Sequence, residues 1–465
     1  MDSERAPTLF QRSEGSEIIV SGRIWQAVWY VAWPTVINTT VLMAYNLVNR
    51  WFLGQLPDSI PAQAAIGLGG SLLMLQASIA FGLSAGAAAL VSRFLGANEI
   101  DYANEASRQS LILASVIGVF SSLPLIVCPV AIVKIVGAKE SVIGLAADYT
   151  SINAYFSAPV FVYFIGTTIL RAIGDVKATL YCGLVAIALN IVFDYLLVLG
   201  AGPFPQLGVV GAAWGTGASR VVALLAIWMF LRRSAVADSV SHFRLNVSWF
   251  GRIANVGWPA SIQNILWTTA ATGFVWVLGR LPGIEATNAQ AAYSVGMVLE
   301  SLAFMPGLAY GIAATPLVGQ NLGAGRPDRA EHSAWVATGQ AAMVMGLVAV
   351  VFWMIPQRLA APYNPSPAVL ALIVSYLRIN ALAEPLLAVN MTLRGALQGA
   401  GDTRIPAWIT FITNWLVRMP LAYVLAITLR HGAVGAWYAM SISTALSGLL
   451  IAIWFKWGTW RTQHV

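Results

Sequence analysis

The sequence predicts an all-α polytopic membrane protein: twelve transmembrane helices in two six-helix, pseudo-symmetric halves forming a V-shaped cleft. Three observations carry this. First, 58% of the 465 residues are hydrophobic and only 10% are charged, against about 25% charged in soluble domains. With a mean hydropathy of +0.73, the apolar residues form runs that a membrane, not a core, must bury. Second, these runs are long enough to cross a bilayer, which takes about 20 residues of helix. Third, the chain repeats itself.

On the length rule the spans fall at approximately 28–53, 64–91, 109–133, 142–170, 179–200 and 208–231, then at 252–279, 289–318, 335–355, 367–393, 405–428 and 433–456. Pro34, Pro159, Pro259, Pro306, Pro316 and Pro385 are expected bends, because each removes a backbone hydrogen bond from its helix. The organisation is a tail at 1–27, a first lobe at 28–231, a linker at 232–251, a second lobe at 252–456 and a tail at 457–465. The first 22 residues are polar and hold no apolar segment, so no cleavable signal peptide is expected.

Basic residues set the orientation. One set of span ends holds seventeen: Arg5, Arg12, Arg23, Arg93, Arg108, Arg171, Lys177, Arg232, Arg233, Arg244, Arg252, Arg326, Arg329, Arg394, Arg404, Lys456 and Arg461. The opposite ends hold six, namely Arg50, Lys134, Lys139, Arg280, Arg358 and Arg430, with Arg220, Arg378 and Arg418 inside spans. Positive loops stay inside, so both termini are expected on the cytoplasmic face of the inner membrane. The net charge of +7 is scattered over short loops, which sets topology and excludes a nucleic-acid face. Cys128 and Cys182 both lie in apolar runs and fit neither a disulfide framework nor a metal site.

The repeat has a nearly constant offset. Trp33-Pro34 returns as Trp258-Pro259 and Gly54 as Gly279, 225 residues on. Gln63-Ala64-Ala65, Ile152-Asn153-Ala154 and Gly174-Asp175 return as Gln290-Ala291-Ala292, Ile379-Asn380-Ala381 and Gly401-Asp402, all 227 on. Leu90–Ala97 and Leu317–Ala324 share five of eight residues. Gly208–Ala212 pairs with Gly432–Ala436. Six spans per half leave both halves in one orientation, related by an axis along the membrane normal with a cleft between them, an arrangement suited to alternating access. The Gly-Asp-x-Lys/Arg stretch after spans 4 and 10 is expected to be a plain tight turn.

Within this frame the fifth span carries a carboxylate at its centre, Asp194. An intramembrane charge is expensive and marks a functional position by default; the bland alternative is a helix-packing hydrogen bond. Asn190 lies four residues before it, so the two share a helix face. Desolvation favours the neutral form of a carboxyl group, which suits a site that loads a proton on one side and loses it on the other. The same oxygens suit sodium. Two further acids, Glu300 and Glu384, lie in spans of the second half, either to attract a cationic substrate or to satisfy groups at helix bends. Arg418 is expected to be structural, pairing with an acid or with carbonyls. Most aromatic residues are interface anchors or packing, with Met43, Met297 and Met305 candidates for a pliable pocket.

Taken in order, Arg171–Asp175, Leu189-Asn190…Asp194-Tyr195, Glu300–Gly307, Leu317–Gly325 and Gln398–Thr403 resemble the MATE (multidrug and toxic compound extrusion) family. That family lies within the multidrug/oligosaccharidyl-lipid/polysaccharide exporter superfamily, and the resemblance covers nearly the whole chain. It implies a cation-coupled antiporter that expels small organic, often cationic, compounds. It implies a cation site at Asp194 and Asn190 with Tyr45 and Thr216, coupled to H+ or Na+, with no other cofactor. Asn49 stands where the family usually has an aspartate, and an amide cannot carry a proton; a single coupling cation per Asp194 is therefore expected. A flippase for lipid-linked saccharides is the alternative within the superfamily. An intramembrane enzyme is disfavoured, since His242, His332, His431 and His464 fall outside the spans and no nucleophile–base pairing appears. Besides substrate, the only partner expected is the lipid bilayer, with the chain acting as a monomer.

Overall fold

A computed structural model describes residues 14–56, 59–242 and 244–463, without the side chains of Asn46, Leu47, Arg50 and Ser59. Arg5, Arg12, the Arg50 side chain and His464 lie outside the described residues. In hydrocarbon every backbone polar group must be satisfied within its own segment, which leaves helices as the answer for such a sequence. Among the described residues every regular element is a helix.

In order the helices are α1 (Glu14–Ser21), α2 (Ile24–Gly54), α3 (Ser59–Gly96), α4 (Ile100–Val127), α5 (Pro129–Ile135), α6 (Glu140–Tyr155), α7 (Ser157–Ala172), α8 (Val176–Val198) and α9 (Val209–Arg232). The second half has α10 (Val247–Leu278), α11 (Ile284–Gly323), α12 (Pro327–Met354), α13 (Pro356–Ala360), α14 (Pro367–Ala381) and α15 (Glu384–Ala400). It closes with α16 (Arg404–Thr428) and α17 (Gly432–Trp457). Among the described residues nine helices, and the bent pairs α6–α7 and α14–α15, are long and apolar enough to cross a membrane. With α10, as long but more polar, they make twelve spans in two sets of six.

The repeat extends into irregularities that composition did not reveal. The fourth span of each half is broken, by 55° between α6 and α7 and by 57° between α14 and α15. Pro159 and Pro385 stand just past these breaks, where a missing N–H costs nothing. Pro34, Pro259, Pro306 and Pro316, also expected as bends, lie inside helices that continue past them. The span expected at 109–133 divides at Cys128 into α4 and α5, and its repeat divides at Ile355 into α12 and α13. Each short helix opens on a proline, Pro129 and Pro356. Several residues expected at span ends or between spans lie within helices that run on past the expected spans: Arg108 in α4, Arg252 in α10, Arg394 in α15 and His332 in the second turn of α12.

The lobes meet at the end that carries α1 and residues 457–463. Here α3 and α11 cross backbone to backbone. A Cβ on Gly96 would stand 2.1 Å from the Gln320 carbonyl oxygen, and one on Gly323 would stand 2.0 Å from that of Arg93. Positions 93 and 96 are the repeat mates of 320 and 323, so the contact is reciprocal about the pseudo-twofold axis. Hydrogen bonds cross the joint both ways. Arg93 donates to the Ala400 carbonyl at 3.2 Å, and Gln320 Nε2 donates to that of Ala172 at 2.7 Å.

Helix α1, inside the segment read from sequence as a tail, seals this end. Ile19 and Val20 are buried in the same apolar cluster as Ala27, Val31 and Val176. Ser16 donates to Gln320 at 2.9 Å, and the carbonyls of Ile19, Val20 and Gly22 accept from Asn321, Arg326 and Arg329. Two arginines at a helix C-terminus also complement its dipole.

Candidate functional site

The centre of the first lobe is built from α2, α8 and α9. Spacing of four puts Asn190 and Asp194 on one face of α8, and both are buried, Asp194 completely. Asn190 Nδ2 donates to Asp194 Oδ1 at 3.3 Å. The same spacing on α2 aligns Tyr45 and Asn49, with Asn49 Nδ2 donating to the Tyr45 hydroxyl at 3.0 Å. That hydroxyl faces both the Asp194 carboxylate and Thr216 of α9. All five residues expected at the site are therefore together.

Two oxygens remain without a hydrogen-bond donor among the described residues: Asp194 Oδ2 and Asn49 Oδ1, both buried. Leaving a buried acceptor unmet costs about 1–3 kcal/mol, more for a charged one. Unmet oxygens in such a setting suit a proton or a small oxygen-seeking cation. The donor set of one carboxylate with amide, phenol and alcohol oxygens fits a single monovalent charge.

Four residues here had no site role in the sequence reading. A Cβ on Gly215 would lie 2.7 Å from Asp194 Oδ1 and 3.4 Å from Asn190 Nδ2, so only glycine lets α9 approach the carboxylate this closely. Gly211 meets the Leu197 carbonyl one turn away. The Gly-x-x-x-Gly spacing of 211 and 215 was the available signal. Tyr149 of α6 and Arg220 of α9 also lie within electrostatic reach, Tyr149 of both Asp194 and Arg220. Arg220 sits 5.8 Å from the ring of Phe164.

The second lobe gathers a different set. Tyr376 of α14 donates to Glu300 of α11, and its ring meets Trp437 edge-on at 5.0 Å. Glu384 opens α15 at the 57° break. It is almost fully buried, and its Oε2 has no partner among the described residues. Glu300 and Glu384 feel each other's charge. Among the described residues Arg418 pairs with neither acid nor carbonyl: Nε donates to Ser443 at 2.8 Å and a terminal nitrogen to Thr444 at 3.0 Å, both hydroxyls of α17. It sits at the end of a wide π-helical turn, Ile412–Arg418, and lies within the field of Glu300. Of the three methionines, Met43 meets Ser301 across the lobes at 3.7 Å.

Residues 34–196 and 259–424 match the family described as MatE, one segment per lobe. The probable multidrug resistance protein NorM of Thermotoga maritima is 26% identical over 94% of this chain and 93% of its own length. An FAD transporter of Shewanella oneidensis is equally similar, at 26% over 93% and 94%. A solved structure described as the outward-facing conformation of a multidrug resistance MATE family transporter superimposes with a TM-score of 0.88. It has 23% identity and covers 96% of this chain and 98% of that one.

Proposed function

The chain belongs to the MatE family, the multidrug and toxic compound extrusion transporters, and from that premise we propose that it is a secondary antiporter. It exports small organic compounds, cationic ones foremost, in exchange for H+ or Na+ by alternating access. The observation that carries this reading is the pair of unmet buried oxygens, Asp194 Oδ2 and Asn49 Oδ1. An ionised Asp194 is costly to carry through a rearrangement within hydrocarbon. Binding one cation removes that cost, so the lobes exchange between faces when the acid is neutralised and resist doing so when it is bare. Because Asn49 adds an oxygen but no charge, one cation moves per cycle of Asp194.

Glu300 and Glu384 supply the second lobe with negative charge for a cationic substrate or for a further proton. Arg418 holds α16 to α17 beside them. The family names attached to similar proteins, multidrug resistance and FAD transport, both fit small-molecule cargo. We place both chain ends on the cytoplasmic side of the inner membrane, where the basic ends of the spans gather, and take the monomer as the working unit.

The test is uptake of a fluorescent organic cation into everted vesicles, with a pH gradient and a sodium gradient imposed separately. Uptake driven by one of them identifies the coupling ion. No uptake under either gradient, from protein that is correctly inserted, would sink the reading.

A further inference from the structure

The second lobe holds a guanidinium inside a span with no acid to meet it. Arg394 lies on α15, and among the described residues its one hydrogen bond goes to Asn264 Oδ1 of α10 at 3.0 Å. Among the same residues it joins no ion pair. Four of its five N–H donors are therefore unspent. A charge within a span is expensive and faces a partner or a water-filled space. Arg394 is deep in the protein yet not sealed. In the last three turns of α15 only Met391, Arg394 and Gln398 keep any exposure, and their spacing puts them on one face. The helix is otherwise packed on α3, α11, α12 and α17, so this face turns inward, toward α10, and not to lipid.

Aromatic rings stand one turn away. Asn264 is followed on α10 by Trp267, whose ring stacks on Phe304 of α11 with centroids 5.7 Å apart. Trp267 is exposed and Phe304 partly so. One turn on from Phe304, a Cβ on Gly307 would stand 2.9 Å from the Met391 sulfur, which closes α11 onto α15 beneath the rings. The lobes cross just before Asn264, where Gly82 of α3 meets Gly257 and Ser261 of α10. The ring stack and the guanidinium thus lie just past that crossing, on the floor of the space between the lobes.

The first lobe differs at all four places. At the repeat positions of Asn264, Trp267, Phe304 and Arg394 it carries Thr39, Leu42, Ala77 and Thr167. A cation, its amide partner and two stacked rings have arisen together in one half of a shared scaffold. We propose that Arg394 recognises a carboxylate on an aromatic cargo whose ring lies against Trp267 and Phe304. The guanidinium fork takes both oxygens of a carboxylate, and one arginine balances one negative charge. With Glu300 and Glu384 in the same lobe, that cargo is an aromatic cation that also bears a carboxylate. The cationic half of this statement rests on the efflux reading above; binding at Arg394 does not.

The probes are tetramethylrhodamine, which carries a carboxylate, and its methyl ester, the same cation without one. Binding is measured by fluorescence anisotropy on the full-length protein in phosphatidylcholine nanodiscs, against empty nanodiscs. The free acid is expected to bind about tenfold more tightly than the ester. Arg394→Gln is expected to abolish that preference, and Arg394→Lys, a point charge without the fork, to keep part of it. Asn264→Asp, which hands Arg394 an internal carboxylate, is expected to abolish it with the arginine in place, so the test stands even where Arg394→Gln does not fold. Trp267→Ala is expected to weaken both probes with little change in their ratio. The proposal fails if the native protein does not prefer the acid, or if Arg394→Gln and Asn264→Asp leave the preference at its native value. Gradient-driven uptake of the ester into vesicles tests antiport separately: preference without uptake keeps the site and removes the antiporter reading.

Discussion

The two lobes share a backbone plan and differ in where they keep their acids. Each lobe places a tyrosine at the same repeat position, Tyr149 and Tyr376. Each tyrosine ring lies against a glycine of the second span, Gly69 or Gly296, whose Cβ would stand 2.7 or 2.5 Å from the ring. Each tyrosine carbonyl accepts from the asparagine four residues on, Asn153 or Asn380. Around this common tyrosine the chemistry diverges. The first lobe brings one carboxylate from the fifth span, Asp194, whose repeat mate is Leu421. The second brings two from its second and fourth spans, Glu300 and Glu384, whose mates are Leu73 and Ser157. The scaffold is thus symmetric and the charge is not. Under the proposed function the halves of this duplicated fold take separate tasks, ion coupling in one and charge for substrate in the other.

The most severe way to break that division is Asp194→Asn. It keeps the shape of the side chain and the reach to Asn190 but removes the acid of the first site. Gradient-driven export in everted vesicles is expected to vanish while the protein still inserts; export at the native rate would show that coupling lies elsewhere. Glu300→Gln and Glu384→Gln, made singly, test the second lobe. Loss of a charged hydrogen bond costs about 1.5–3 kcal/mol, or roughly 10- to 100-fold in apparent affinity. The loss should appear for cationic substrates and be small for neutral ones, measured as concentration dependence of uptake. Equal loss for both classes would move these acids from substrate binding to coupling.

A smaller effect is expected at the reciprocal joint. Gly96→Val or Gly323→Val drives a side chain into carbonyl oxygens about 2 Å away. Overpacking of this kind costs about 1–3 kcal/mol, and the two variants should lower the thermal midpoint equally, because their surroundings are repeats of one another. Below that lies the tyrosine pair. Tyr376→Phe removes the donor to Glu300, worth about 1 kcal/mol, and should weaken cationic substrates severalfold. Tyr149→Phe loses a hydrogen bond to the neutral Asn153 side chain rather than to an acid and should change uptake less. The reverse order would mean that the first lobe also handles substrate.

Much of this was legible in the sequence, because composition, span length and offset repeats are one-dimensional signals. Asn190 and Asp194 could be paired by helical spacing alone, whereas Tyr45, Asn49 and Thr216 came with the family resemblance. What was hidden depends on contacts between distant segments. Gly215 matters only because α9 lies against α8, and Tyr149 only because α6 packs against α9. Arg418 was expected to seek an acid or a carbonyl, yet in the fold Ser443 and Thr444 are nearer than either. Helix α1 was read as part of a tail since eight residues with two glutamates carry no span signal; its burial is dictated by Gly174 and Arg329, which lie far along the chain.

The repeated Gly-Asp turn offers the finest test, at a group outside the spans. Asp175 caps its helix by accepting from the Ala178 amide at 3.0 Å. Asp402 is more deeply placed, 3% exposed, and accepts from Trp454 as well as from the Ile405 amide. Burial raises its pKa above the ordinary carboxylate value, against the opposing pull of the Trp454 and Ile405 hydrogen bonds and the Arg404 charge. A raised value in the folded state means that the native protein holds this proton more tightly than the unfolded chain. The stability it contributes is complete below the unfolded value of about 4 and is lost as pH rises through the folded one. Asp402→Asn cannot titrate and keeps an oxygen for Trp454. Its thermal midpoint should therefore fall less than that of the native protein as the pH is raised from about 4. Parallel curves would show that the Trp454 hydrogen bond, and not desolvation, governs the acid in this turn.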